Sequence, residues 1–205
     1  MSGGTFDKFE ITKHEAYRFV GKSVYIGNKG SFGCFDLPQS TYLPSGCAET
    51  LHGRALHEYL WERSEGIFAM LDDLKEYATE EAHNTALFTW EKHDGKHELY
   101  GYTIGRFMKA DTPVTHDMDY YDIPEGYFAK GFVKMENVEK YQGTRLAKFE
   151  DIMDEELKKH DAYQWEIMMA EVYPAPDENG DTCVALYELM KAKKPGKKLF
   201  GRTRA

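Results

Sequence analysis

The stretch YQWEIMMAEVYP, residues 163–174, alternates in the way that is typical of a β-strand. Because successive side chains of a strand point to opposite faces, one face carries Tyr163, Trp165, Ile167, Met169, Glu171 and Tyr173. If that face lines a cavity, Glu171 is the single charge at the bottom of an aromatic pocket, which suits a flat or cationic small molecule. The alternative is a glutamate at a strand end that reaches water, since burying an unpaired carboxylate is costly.

The same order of elements occurs twice along the chain. The first half shows a strand over residues 15–26, a helix over residues 55–78 and a hairpin over residues 85–107, and the second half repeats this with residues 120–135, 144–160 and 165–192. The pattern predicts an α+β fold in which two pseudo-symmetric β-α-β-β units form one curved antiparallel sheet. We expect two long helices on one face of this sheet and a ligand cleft on the other.

Composition and charge fit one such domain of two repeats. The repeats cover residues 9–108 and 116–192, preceded by a flexible N-terminus over residues 1–8 and followed by a basic, disordered tail over residues 193–205. Residues 191–205 hold seven of the 26 basic residues and no acid, so the rest has 19 basic against 35 acidic groups, a net charge of −16. Such a body repels nucleic acid, and the chain shows no helix-turn-helix or zinc-finger spacing, so direct DNA binding is not expected.

The remaining class signals predict a soluble cytoplasmic protein. The three cysteines are far apart in sequence, and no basic leader or long apolar segment appears, so neither a disulfide framework nor a membrane partner is indicated. No cofactor or metal is expected either. A two-residue turn at Asp94-Gly95 would place His93 and His97 on opposite faces of their hairpin, which argues against a shared metal.

Four short segments resemble one known family. AYRFVGKSVYI (16–26), LYGYTIGRF (99–107), IPEGYFAKGF (123–132) and AEVYP (170–174), in this order, resemble the GyrI-like small-molecule-binding domains, which also serve as effector-binding modules of AraC-type and MerR-type regulators. The resemblance implies a central glutamate in an aromatic cleft that meets cationic or flat hydrophobic compounds. Glu171, followed by Val172 and Tyr173, matches that glutamate. No DNA-binding region precedes residue 9, so a stand-alone binding domain is expected.

The predicted site is built around Glu171 and Tyr173. Its other predicted ligand-binding residues are Trp165, Met169 and Tyr102 as walls, with Phe35 and Tyr42 in a long loop over residues 28–50 that either covers the cleft or packs outside it.

Three further residues are weaker candidates. Glu188 interrupts an apolar alternation and is the rival for the buried acid. The predicted hairpin register places Trp90 and Tyr102 on opposite faces, so they cannot both line the cleft. Trp61 falls in the apolar stripe of the first helix and is interpreted as core.

Three functions remain open on the sequence alone. Binding of a small hydrophobic or cationic ligand, for sensing, sequestration or detoxification, comes first. Hydrolysis of reactive cyclopropane-type or other electrophilic natural products is the second, as the resemblance implies for some members, with Glu171 as base and Tyr173 or Tyr102 beside it. The third is an acidic protein inhibitor that acts on a protein partner such as DNA gyrase. The oligomeric state is left open.

Overall fold

The structure is a computed structural model that describes residues 6–28, 54–93, 97–135 and 145–192. Within these ranges the chain forms eight strands and three helices, with a short 3₁₀ turn at Lys75–Tyr77. In chain order they are β1 (Lys8–His14), β2 (Tyr17–Asn28), α1 (Arg54–Trp61), α2 (Ser64–Asp72), β3 (Asn84–His93), β4 (His97–Lys109), β5 (Asp119–Ile123), β6 (Gly126–Lys134), α3 (Arg145–Leu157), β7 (Tyr163–Tyr173) and β8 (Cys183–Ala192). No helix in these ranges is long and apolar enough to cross a membrane.

All eight strands belong to one antiparallel sheet, in the order β1-β6-β8-β7-β3-β4-β2-β5. The first four strands correspond in order to the last four, so that β1 matches β5 and β4 matches β8. Replacing every strand by its counterpart gives the same strand order, read from the opposite edge of the sheet. The halves are therefore related by a pseudo-two-fold axis between the central strands β3 and β7. The first strand of each half pairs with the second strand of the other half, so the halves interlock. The predicted α+β class and the doubled architecture are confirmed, with one more strand in each half.

Several predicted elements are divided in the structure. The single strand expected over residues 120–135 is β5 and β6, separated at Pro124, whose ring nitrogen has no hydrogen to donate to a ladder. The long helix expected over residues 55–78 is α1, α2 and the 3₁₀ turn. The amide of Arg63 donates to the carbonyl of Leu60 at 3.0 Å, a tight 3₁₀-type bond that ends α1 before α2 begins.

The sheet is strongly curled. Two-residue links, residues 15–16 and 124–125, join β1 to β2 and β5 to β6. In a flat sheet these partners would lie roughly 29 Å apart at six strand spacings, whereas such a link spans roughly 10 Å. Diagonally opposite corners must therefore curl toward each other. On the side toward which the corners curl, the rings of Phe107 in β4 and Phe128 in β6 lie 5.3 Å apart. Three strands, β8, β7 and β3, lie between β6 and β4 in the sheet.

The two faces of the sheet have different cores. On one face, Leu60, Ile67 and Leu71 of the first two helices and Ile152 and Met153 of α3 pack on the sheet. The other face carries no described helix. Its side chains pack against one another because the corners of the sheet curl inward. They include Phe19, Leu87, Phe107, Phe128, Val172 and Tyr187, all at most 3% exposed.

The register of the first hairpin differs from the prediction. His93 pairs with His97, so residues 94–96 form a three-residue connection instead of a two-residue turn. When the register between two strands shifts by one residue, residues predicted to share a face come to lie on opposite faces, and the reverse. Phe88 therefore pairs with Tyr102 and Trp90 pairs with Tyr100. The prediction that Trp90 and Tyr102 occupy opposite faces of the hairpin was wrong.

Candidate functional site

Glu171 lies at the centre of the sheet. It belongs to β7, where it pairs with Ala86 of β3 on one side and Leu186 of β8 on the other. Ala86 and Leu186 belong to the core beneath the helices, so Glu171 is on the helix-bearing face. Its side chain is half-buried, and the small Ala86 beside it is fully buried.

Aromatic residues from four elements gather on this face. The indole nitrogen of Trp61, the last residue of α1, donates a hydrogen bond of 2.6 Å to the hydroxyl of Tyr102 in β4. The Trp61 ring also meets Tyr173 edge-on at 5.4 Å between centroids. Phe88 of β3 meets Tyr102 in the same manner at 5.1 Å. Trp61, Tyr102, Tyr173 and Phe88, together with Glu171, are called the Glu171 cluster below.

The polarity of the Tyr102 hydroxyl follows from its two neighbours. An indole nitrogen only donates, so the Tyr102 oxygen is the acceptor of the Trp61 hydrogen bond. Burial raises the pKa of Tyr102, the Trp61 hydrogen bond opposes that rise, and the negative charge of Glu171 adds to it. Tyr102 is therefore a neutral hydrogen-bond donor close to the Glu171 carboxylate at neutral pH.

A second carboxylate shares this face. Glu188 of β8 is only 5% exposed and pairs with Ala129 and Met169. Since Glu171 pairs with Leu186, the two acids are diagonal neighbours on adjacent strands, roughly 7–8 Å apart. Glu188, the rival acid of the sequence analysis, therefore lies beside Glu171 and not on the opposite face.

The structure brings some of the predicted site residues together. Glu171, Tyr173, Met169 and Tyr102 lie on the same face, and Met169 and Tyr102 are each 3% exposed. The side chain of Trp165, and residues Phe35 and Tyr42, lie outside the described part of the chain.

The face of the Glu171 cluster differs from the prediction. The cluster lies on the helix-bearing face, whereas the cleft was expected on the opposite face, which holds the second hydrophobic core. Trp61, interpreted as core, does pack against the core beneath the helices, and it is also bonded to Tyr102. Apolar spacing predicts that burial but not the identity of the neighbour.

Comparison with known proteins identifies the fold. No family model and no curated protein matches the chain. Among solved structures, SAV2435 bound to tetraphenylphosphonium aligns with a TM-score of 0.50 and 13% identity, over 90% of this chain and 94% of that one. The fold is GyrI-like.

Two other structures align at lower scores. A protein from Staphylococcus aureus MU50 assigned to bacterial transcription regulation aligns with a TM-score of 0.48 and 16% identity, over 92% of this chain and 100% of that one. A hydrolase encoded by lin2189 of Listeria innocua aligns with a TM-score of 0.43 and 10% identity, over 91% of this chain and 93% of that one. At these identities the GyrI-like likeness concerns the fold alone.

Proposed function

We propose that this protein binds flat hydrophobic or cationic small molecules against the Glu171 cluster. The observation that carries the proposal is the position of Glu171, a half-buried carboxylate at the central strand pair, next to the aromatic residues of the cluster. A carboxylate among aromatic faces favours a delocalised cation, because the charge is balanced by the acid and the ring faces attract it. The GyrI-like fold and the tetraphenylphosphonium bound to SAV2435 support the same ligand class.

The helices supply the wall opposite the sheet in this proposal. Trp61 touches both Tyr102 and Tyr173, so a ligand beside Glu171 would meet α1 as well as β4 and β7. Residues 62–63 separate α1 from α2, so the Trp61 side of this wall belongs to the short helix α1 alone.

The test is a fluorescence titration with tetraphenylphosphonium and with neutral triphenylphosphine oxide. We expect Glu171→Gln to weaken binding of the cation by at least about tenfold, or about 1.4 kcal/mol, because it removes the charge and keeps the shape. Binding of the neutral compound should change little. Glu178→Gln, at an exposed acid of the β7–β8 connection, is the matched control for the loss of one charge. Equal affinity of Glu171→Gln and Glu178→Gln for the cation would refute the proposal.

Hydrolysis is the second candidate, favoured by the neutral Tyr102 hydroxyl close to the Glu171 carboxylate. A carboxylate can remove a proton from water while a tyrosine donates to the leaving group. In that case an electrophilic cyclopropane substrate would be consumed by the wild-type protein and would be bound but not consumed by Glu171→Gln. Binding by both proteins without product would reject hydrolysis and leave the binding function intact.

A further inference from the structure

A cavity lies on the side of the sheet away from the Glu171 cluster, where the curled corners meet. Its volume is about 700 Å³, and three segments form it. They are the β1–β2 link with its flanks (residues 13–17), residues 79–80 before β3, and residues 109–111 at the end of β4. The cavity shares no lining residue with the Glu171 cluster.

Tyr17 is one of the residues that line this cavity. The residue is 8% exposed, and its ring stacks on His14 at 5.3 Å and on Phe128 at 6.3 Å. Among the described residues its hydroxyl has no hydrogen-bond partner. Burial, followed by the nearby carboxylates of Glu81, Glu80 and Glu15, raises the pKa of Tyr17 to about 12, so the hydroxyl stays protonated.

The lysines and the glutamates around the cavity differ in whether they have described partners. The Lys109 ammonium donates to the carbonyl of Glu76 at 2.8 Å, and the exposed Lys13 ammonium lies 4.0 Å from Glu125, so each lysine of the lining contacts a residue outside the lining. In contrast, the carboxylates of Glu15 and Glu80 form no ion pair within the described part of the chain. The lining therefore offers acceptors that its own cations do not satisfy.

Asp111 adds a third carboxylate to the rim, although the Arg18 guanidinium is near it. Acidic groups thus reach the cavity from all three of its segments. The lining has three acids and two lysines, Lys13 and Lys109, which gives it a net charge of −1 and favours a cation over an anion.

We propose that this cavity is a second ligand site that binds the primary ammonium group of an alkylamine, such as a polyamine. An ammonium group has three N–H donors, and the Tyr17 hydroxyl, the Glu15 carboxylate and the Glu80 carboxylate provide three acceptors from two separate segments. The volume exceeds that of an ammonium group and leaves room for the alkyl chain. The site differs in chemistry from the aromatic Glu171 cluster and does not depend on the function proposed for it.

The experiment is a calorimetric titration of the full chain with spermidine, with N,N′-diacetylputrescine as the uncharged probe. We expect the Glu15→Gln/Glu80→Gln double variant to bind spermidine about tenfold more weakly, and Tyr17→Phe to lose a smaller factor. The diacetylated compound should not bind.

The matched control is Asp161→Asn/Glu178→Gln, which removes two exposed acids elsewhere and should keep wild-type affinity. Equal losses in the two double variants would mean that spermidine senses only the overall negative charge, which would overturn the proposal. Absence of spermidine binding to the wild-type protein would also overturn it. Because Glu15 and Glu80 are exposed, their double variant should fold normally, which a melting curve checks.

Discussion

At the scale of single residues, the Trp61–Tyr102 hydrogen bond connects α1 to the sheet beside Glu171. Trp61→Phe keeps an aromatic ring and removes the indole N–H, and Tyr102→Phe removes the acceptor. In a double-mutant cycle we expect a coupling free energy of about 1 kcal/mol, the net contribution typical of one hydrogen bond. Urea unfolding of the four proteins measures it. Strictly additive losses would show that the bond contributes nothing to stability.

His14 makes stability depend on pH. Its Nδ1 donates to the Glu15 carbonyl at 2.7 Å, its Nε2 has no partner in the described part of the chain, and its ring stacks on Phe128 at 4.1 Å. Burial lowers the pKa of His14, and burial lowers the pKa of His83 as well.

Because the pKa values of both histidines are lower in the folded state than in the unfolded chain, the unfolded chain binds more protons near and below its histidine pKa of about 6.5. The free energy of unfolding should therefore fall as pH drops from 7 to 5.5. His14→Phe, which keeps the stacking, should show a smaller fall than the wild type in urea titrations at the two pH values. If the free energy of unfolding fell by the same amount between the two pH values in His14→Phe and in the wild type, His14 would not contribute to the pH dependence.

Sequence alone could group Glu171 with Met169 and Tyr173, because strand alternation has a period of two and places these three residues on one face. The register of β7 is irregular between Trp165 and Met169, where alternation is a weaker guide. Sequence alone could not place Trp61 or Phe88. The partner of Trp61 depends on how α1 lies on the sheet, and the position of Phe88 depends on the hairpin register. A connection longer by one residue than the Asp94-Gly95 turn changed that register.

At the scale of elements, the β2–β4 pairing depends on two glycines that face each other. Gly21 pairs with Gly105, and a Cβ on Gly105 would lie 2.1 Å from the carbonyl oxygen of Val20. Gly105→Ala should therefore destabilise the fold by about 2–3 kcal/mol, as expected for overpacking against backbone.

The matched control is Gly66→Ala in α2, where an added Cβ meets nothing within 4 Å. There alanine should stabilise the protein by about 0.5–1 kcal/mol, because it restricts the unfolded chain and favours helix. Thermal unfolding of both variants measures the contrast. A tolerated Gly105→Ala would show that β2 and β4 do not approach as closely as described.

At the scale of the whole molecule, a buried ion pair joins the two halves on the curled face. The Lys130 ammonium of β6 donates to the carboxylate of Glu81, which precedes β3, and the Tyr187 hydroxyl of β8 donates to the other oxygen of that carboxylate at 2.9 Å. Lys130 and Glu81 are 6% and 8% exposed. The sequence did not predict this pair, because its members are far apart in the chain and meet only when the corners curl.

Lys130→Met should cost about 3–5 kcal/mol, since it leaves the Glu81 carboxylate buried without its cation. The double variant Lys130→Met/Glu81→Gln removes both charges and should recover a large part of that loss. Denaturant unfolding of the two variants and the wild type measures the recovery. If the double variant were no more stable than Lys130→Met, the uncompensated charge would not be the cause of the loss.

The repeated order of elements predicted the sheet with two related halves, but not the face of the sheet on which Glu171 lies. That face depends on how the sheet curls and where the helices pack, which place Glu171 beneath the helices and a second aromatic core on the other face.

The most direct test of the central claim is therefore a crystal structure of the protein with bound tetraphenylphosphonium. We expect the phosphonium to lie beside the Glu171 carboxylate, with one of its phenyl rings against Tyr173 or Trp61. The centroids of these protein rings should lie within about 6 Å of the phosphorus atom. A phosphonium bound on the helix-free face or in the Tyr17 cavity, with the Glu171 cluster empty, would contradict it.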